Sequence, residues 1–337
     1  MMHKPYLGKK EGDPGTTPVL IPTQRKGKQI VTSELLQPYF PDADLVKAVN
    51  VALLINRPLL IMGEPGCGKS LLARDIAFNW YGENMLLDKK FYEWPIKSTS
   101  KAKEGLYDFD YLGRLHAANA RDAKAKDPAN FVRLGPLAKA MEASTEKEKA
   151  VLLIDEIDKA DIDFSNDLLN ELEQNTFTIT ETGETRTNPH KPFIVITSNS
   201  EKDLSDAFLR RCVFHHINLF SADKLKTNAP KLWLEKIIKA RYYNGQENAD
   251  PMISKAINAF IDFRQRMNND VLSYRKTVST SEFLDWFSVL KQCAEDKAVP
   301  ALSADLKRWL NDQGTTRIPF GNALFKTTKS LLDMQTV

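Results

Sequence analysis

The sequence predicts an α/β core, with a parallel sheet and helices on both faces, followed by a small all-helical lid. Three observations predict it. Short apolar runs alternate with segments of helical period through the first two thirds of the chain, the pattern of strand–helix–strand units. The strand-like runs stop near Ser221. Beyond that point only amphipathic helical patterns follow. The expected division is a flexible arm over 1–34, the α/β core over 35–220, and the helical lid with the C-terminal tail over 221–337.

Composition narrows the class. The chain has 337 residues, 42% of them hydrophobic and 27% charged, with a mean hydropathy of −0.39, values that suit a water-facing globular chain. No stretch reaches the roughly 18–20 apolar residues that span a bilayer, so no membrane span is expected. The opening MMHKPYLGKK has no apolar run behind its basic residues, so no secretory leader is expected either. Cys67, Cys212 and Cys293 are widely spaced and odd in number, which argues against a disulfide framework and for a reducing, cytoplasmic setting. A net charge of +3 from 47 basic and 44 acidic residues lacks the basic excess of a nucleic-acid binder. The short QRKGK run at Gln24–Lys28 could touch phosphates, but in an arm it reads as solvated charge, and nucleic acid is not an expected partner.

Taken in order, residues up to about Ser33 are rich in Pro, Gly, Thr and Lys with little periodicity, and read as a mobile arm. Asp42 can cap a helix over Ala43–Ile55, whose apolar positions Leu45, Val46, Val49, Ala52 and Leu53 share one face. PLLIMG (Pro58–Gly63), FYEWPI (Phe91–Ile96), VLLID (Val151–Asp155), FIVITSN (Phe193–Asn199) and VFHHINL (Val213–Leu219) read as buried strands. Helices are expected over Lys69–Trp80, around Leu137–Ala143, and over Phe164–Asn175 and Leu204–Leu209. His215 and His216, inside a strand-like run, read as structural.

Four motifs carry chemistry. GEPGCGKS (Gly63–Ser70) fits the phosphate-binding loop G-x-x-x-x-G-K-[ST] between a strand and a helix. Gly63, Gly66 and Gly68 let backbone N–H groups surround an anion at a helix N-terminus. The residues set to cradle nucleotide phosphates are Gly63, Glu64, Pro65, Gly66, Cys67, Gly68, Lys69, Ser70 and Leu71. Lys69 supplies a point charge for β- and γ-phosphates, and Ser70 a hydroxyl for Mg²⁺. Asp155 and Glu156 end the VLLID strand, at the edge where open α/β sheets bind ligands. Asp155 is placed to hold Mg²⁺ and Glu156 to polarise an attacking water. Asn199, after ITS, can orient that water. Arg210 and Arg211, adjacent near the end of a helix, read either as surface arginines helped by the helix dipole or as fingers aimed at a neighbouring subunit's γ-phosphate.

GEPGCGKS, VLLIDEID, ITSN and LRRC, in that order, resemble the AAA+ family over roughly residues 40–220. The segments VRLGPLAKAM, LLIDEIDKADIDFSNDLLNELEQNTFTITETGE and ITSNSEKDLSDAFLRRC are most similar to the MoxR-like branch. The resemblance implies an ATPase using ATP and Mg²⁺ in a ring of identical subunits, expected to be a hexamer. Such a ring remodels a protein partner, and the resemblance points to a von Willebrand factor A domain on a separate chain as a candidate partner. It also implies a glycine–proline step into a helix at Gly135–Pro136 and a hairpin over Phe177–Pro192. An insertion near Gly105–Phe131 fits the 86 residues between Lys69 and Asp155. Tyr107, Phe109 and Tyr111 there could grip a polypeptide at a central pore, or pack inside. The family's lid arginine is not matched: Ser281 and Glu282 stand near its place, with Arg275 slightly upstream. Two alternatives stay open, a nucleotide-gated signalling NTPase of a bacterial conflict or defence system, and a nucleic-acid motor.

Overall fold

The computed structural model describes residues 4–8, 15–26, 29–246, 250–269, 277–295, 300–311 and 318–326. Arg275 and part of the QRKGK run lie outside these. The described chain groups into two units. One comprises 4–8, 19–63 and 69–217; the other comprises 15–18, 64–68 and 218–326.

The α/β unit begins with an antiparallel pair, β1 (Val19–Lys26) and β2 (Gln29–Leu36). This corrects the expectation of a mobile arm over the whole of 1–34. Residues ahead of the pair are also anchored: the Tyr6 hydroxyl donates to Asp75 Oδ2 at 2.5 Å, and Asn50 Nδ2 donates to the Tyr6 carbonyl at 2.6 Å. Burial, with the Asp75 carboxylate beside it, pushes the Tyr6 phenol well above its usual range. Arg74 pairs with Glu34 of β2 and, at 2.6 Å, with Glu93. A single-sequence reading misses this ribbon because its pairing is bulged between Pro22 and Arg25 and its apolar residues do not alternate cleanly.

Helix α1 (Ala43–Ile55) has the expected limits. Asp42 Oδ1 accepts the N–H of Leu45 at 2.8 Å, a cap of the kind that contributes about 1 kcal/mol. Then follow β3 (Leu59–Gly63), α2 (Lys69–Tyr81), β4 (Phe91–Pro95), α3 (Ala102–Leu106), β5 (Tyr107–Phe109), α4 (Tyr111–Asn119), β6 (Val132–Leu134) and α5 (Pro136–Ala143). Next come β7 (Val151–Asp155), α6 (Ile162–Gln174), the hairpin β8 (Thr176–Ile179) and β9 (Glu184–Thr187), β10 (Phe193–Ser198), α7 (Asp206–Leu209) and β11 (Val213–Ile217).

Five strands form one parallel sheet in the order β11–β3–β10–β7–β4. Every residue of β10 is buried, so that strand must be apolar on both faces. The edge strands alternate instead: Phe214 and His216 of β11, and Glu93 of β4, face outward. The order puts Gly63, Asp155 and Ser198 at the carboxyl ends of three neighbouring strands. The Gly135–Pro136 step enters α5 as expected. A Cβ at Gly135 would come within 2.2 Å of the Glu104 carbonyl, so only glycine fits there.

The helical unit contains α8 (Ala222–Leu225), α9 (Ala229–Tyr242), α10 (Pro251–Asn269), α11 (Thr280–Ala294), α12 (Pro300–Asn311) and α13 (Gly321–Leu324). Its core gathers Phe260, Phe263, Phe283, Trp286, Phe287 and Trp309. The Trp286 indole donates to the Pro319 carbonyl at 2.8 Å, which satisfies its buried N–H.

Candidate active site

The chain between β3 and α2 is the loop predicted to bind phosphate. Gly66 and Gly68 hold φ of +74° and +91°, backbone that a residue with a Cβ rarely adopts. A Cβ at Gly66 would also stand 2.7 Å from that of Ser281. Glu64, Pro65 and Gly66 are exposed, Cys67 and Gly68 half-buried, and the Cys67 N–H donates to the Glu64 carbonyl at 3.3 Å. Lys69, only 6% exposed, opens α2 and donates from Nζ to the Gly63 carbonyl at 2.9 Å. Its ammonium is thus turned back to the end of β3. Leu71 follows, half-buried.

At the carboxyl edge of the sheet the structure brings together four of the residues singled out by the sequence. Ser70 Oγ donates to Asp155 Oδ1 at 2.7 Å. Glu156 Oε1 accepts from Asn199 Nδ2 at 3.4 Å, and its other oxygen pairs with Lys159. That carboxylate raises the Lys159 ammonium above its usual range. Glu156 sits at φ 60° and ψ 53°, a left-handed conformation costing a non-glycine residue roughly 1–2 kcal/mol.

Two further residues hold this arrangement and were not singled out from the sequence. The buried Thr197 Oγ1 donates to Asp155 Oδ1 at 2.6 Å and accepts the Glu156 N–H at 2.9 Å. One hydroxyl therefore fixes both neighbours in the acidic pair. Asp158, also buried, accepts with Oδ2 the N–H groups of Asn199 at 3.0 Å and Glu201 at 2.9 Å. It ties the turn after β7 to the loop after β10. The available signals were the Thr inside ITSN and the second aspartate of DEID.

A hydroxyl and a carboxylate converging within 2.7 Å, both hard oxygen donors, fit a Mg²⁺ ion shared with phosphate oxygens. Ser70 and Asp155 would hold it. Bound there, Mg²⁺ would neutralise charge on the transferred phosphoryl group.

Arg210 and Arg211 lie outside this cluster. Both are exposed; Arg211 Nε pairs with Glu173, and the Arg210 carbonyl accepts from Arg57 Nη1 at 3.0 Å. Near the expected lid arginine, Glu282 is committed to the first turn of α11. Its Oε2 accepts the Ser279 N–H at 2.8 Å in a reciprocal capping box. The arginine that does meet the phosphate loop is Arg264 of α10, 1% exposed, which donates to Glu64 Oε1 at 2.9 Å and to the Val278 carbonyl at 2.8 Å. Both partners belong to the helical unit with it.

The three insertion aromatics separate. Tyr107 and Phe109 are buried, which corrects their candidacy for gripping a polypeptide. The Tyr107 ring stacks on Phe177 at 6.4 Å, and its hydroxyl accepts the Thr180 N–H at 3.0 Å. Tyr111 is 64% exposed, with its hydroxyl donating to Glu181 at 2.6 Å.

Residues 59–220 match the AAA family profile, "ATPase family associated with various cellular activities". No curated protein matches the chain in sequence. Among solved structures, the chain is similar to NtrX from Brucella abortus, with 14% identity, 65% of this chain and 45% of that one covered, and a TM-score of 0.36. NtrX in complex with ADP gives 13% identity, coverage of 70% and 50%, and a TM-score of 0.37. The S. cerevisiae Hsp104–ADP complex gives 16% identity, coverage of 68% and 44%, and a TM-score of 0.38. The chain spans half or less of the length of these proteins. Among the described residues no helix is long and apolar enough to cross a membrane. With the acidic strand end and the Thr197–Asn199 strand end side by side on the parallel sheet, residues 59–220 combine a P-loop α/β fold with a match to the AAA ATPase family model.

Proposed function

We propose that this protein is a MoxR-like ATPase that hydrolyses ATP at the subunit interfaces of a ring, a hexamer, to remodel a partner protein. The observation that carries the reading is the single hydrogen-bonded group Ser70–Asp155–Thr197–Glu156–Asn199. In it, metal-holding and water-activating groups are fixed on neighbouring strands. Lys69 holds the β- and γ-phosphates. Glu156 takes the proton of the attacking water, Asn199 orients that water, and Arg210 and Arg211 serve a neighbouring subunit. The exposed side chains Tyr111, Leu112 and Leu115 of α4 offer the surface for a polypeptide partner.

A slow nucleotide-gated switch is the second reading. One observation favours it: both Glu156 oxygens are already engaged, by Asn199 and Lys159. Equilibrium binding and turnover of three variants separate the possibilities. Lys69→Ala should lose nucleotide binding, and Glu156→Gln should bind ATP yet turn over at least a hundredfold more slowly, in the range of removed proton-transfer groups of roughly 10²–10⁴. Lys159→Ala should leave turnover within about threefold for a remodeller and speed it markedly for a latched switch. Normal turnover by Glu156→Gln would remove the assignment of the base.

A further inference from the structure

The amino ends of the strands, at the opposite edge of the sheet from Asp155, border a cavity of about 320 Å³. A five-residue strand is about 16 Å long, so this cavity is separate from the Asp155 cluster at the carboxyl ends of the strands. Leu53, Leu169 and Phe193 contribute to an apolar wall. Arg57, Lys149, Lys191 and Arg211 supply four positive charges, against the single carboxylate of Glu173.

These cations are mostly met by neutral oxygens. Lys149 Nζ donates to Asn56 Oδ1 at 2.5 Å and to the Lys191 carbonyl at 3.1 Å. Lys191 Nζ donates to the carbonyls of Leu172 at 3.0 Å and Glu173 at 2.7 Å, at the C-terminal end of α6. Arg57 meets the Arg210 carbonyl, and only Arg211 reaches a carboxylate, that of Glu173. Burial, and then repulsion from Lys191, push the Lys149 ammonium below its usual range; burial lowers Lys191 too, although Glu173 opposes this. Two half-buried ammonium groups facing carbonyls rather than counter-ions are costly, and an anion between them would offset that cost.

We propose that this cavity binds a small organic anion, an apolar ring or short chain carrying a carboxylate, sulfonate or phosphate. The volume lies at the lower end of small-molecule sites, roughly 300–1,000 Å³, and fits a metabolite-sized body. The apolar wall takes that body, and the lysine and arginine rim takes the charged head. The site lies apart from this chain's own Asp155 cluster and shares with the proposed nucleotide chemistry only Arg211, so its lysine head group does not depend on that reading.

The test uses 8-anilinonaphthalene-1-sulfonate as the probe, titrated into the full chain carrying Lys69→Ala so that the phosphate loop is silenced. One saturable equivalent is expected, weakened roughly tenfold by Lys149→Met and by Lys191→Met, the effect of losing one charged hydrogen-bond donor. Because Lys191 also caps α6, a second measurement uses the unaltered chain saturated with ADP: acetylation of individual lysines, with and without the probe. Protection of Lys149 and Lys191, with the exposed Lys47 and Lys226 unchanged, supports the site. Unchanged affinity in both variants, no saturable binding, or equal acetylation with and without the probe overturns it.

Discussion

At the residue scale, the acidic pair is held by one hydroxyl. Thr197 Oγ1 donates to Asp155 and accepts from the Glu156 N–H, so it spans the metal-holding and water-activating roles proposed for those residues. Thr197→Val keeps the shape but strips both bonds and leaves the half-buried Glu156 N–H unpaired, a loss of roughly 1–3 kcal/mol. A fall in kcat of about 10- to 100-fold is expected, while Thr197→Ser, which restores the hydroxyl, should return to within a few fold of the original. Equal rates for the Val and Ser variants would show that the bridge has no catalytic consequence. Lys69, Ser70, Asp155, Glu156 and Asn199 were legible in the sequence because a strand end fixes where the next residue goes. Thr197 and Asp158 were not, because their roles depend on β10 lying beside β7, which the spacing of motifs along one chain does not state. Arg264 escaped for a similar reason: it lies 200 residues from the Glu64 it meets.

At the element scale, the hairpin β8–β9 is fastened to the insertion through Glu181. Its carboxylate accepts from the Tyr111 hydroxyl at 2.6 Å and lies 3.4 Å from Lys103 Nζ. The Tyr111 hydrogen bond, with smaller help from backbone, Tyr107 and Lys103, holds the Glu181 carboxyl down at about 2. A depressed carboxyl contributes stability that is fully present above its unfolded value of 4.5 and is lost as pH falls through about 2. Glu181→Gln should therefore lower the urea midpoint near pH 7, and the gap to the original chain should narrow between pH 4.5 and 2. A gap that stays constant over that range would assign the loss to packing rather than charge. The sequence placed strands and helices here well: α1 has its expected limits, and five apolar runs became five parallel strands. It failed where an element draws its partner from far along the chain. For Tyr107 and Phe109 the sequence left gripping and internal packing both open, and only the stacking of Phe177 and the Thr180 N–H on Tyr107 decides for packing. Similarly, β1 and β2 look like an arm until Arg74 is seen pairing with Glu34.

At the scale of the whole molecule, Arg210 and Arg211 have no part in their own chain's cluster at Asp155. Both are exposed, and Arg211 is parked on Glu173. If the active sites are shared, each arginine pair completes a site on the next subunit, and two defective chains can repair each other. Arg211→Ala keeps Glu156 but offers no intact finger; Glu156→Gln offers the finger but lacks the base. In an equal random mixture, about a quarter of interfaces join an intact Glu156 to an intact Arg211. Such interfaces recover up to about a quarter of the original ATPase rate if sites act independently, against a loss of roughly a thousandfold in Arg211→Ala alone. The same sharing makes the specific activity of the original chain rise with concentration as its mass, followed by light scattering, grows from monomer to ring. No recovery on mixing, together with constant specific activity at monomer mass, would mean that each chain hydrolyses alone. Arg211 would then act only within its own subunit, through its pairing with Glu173, and the switch reading would take precedence over the ring.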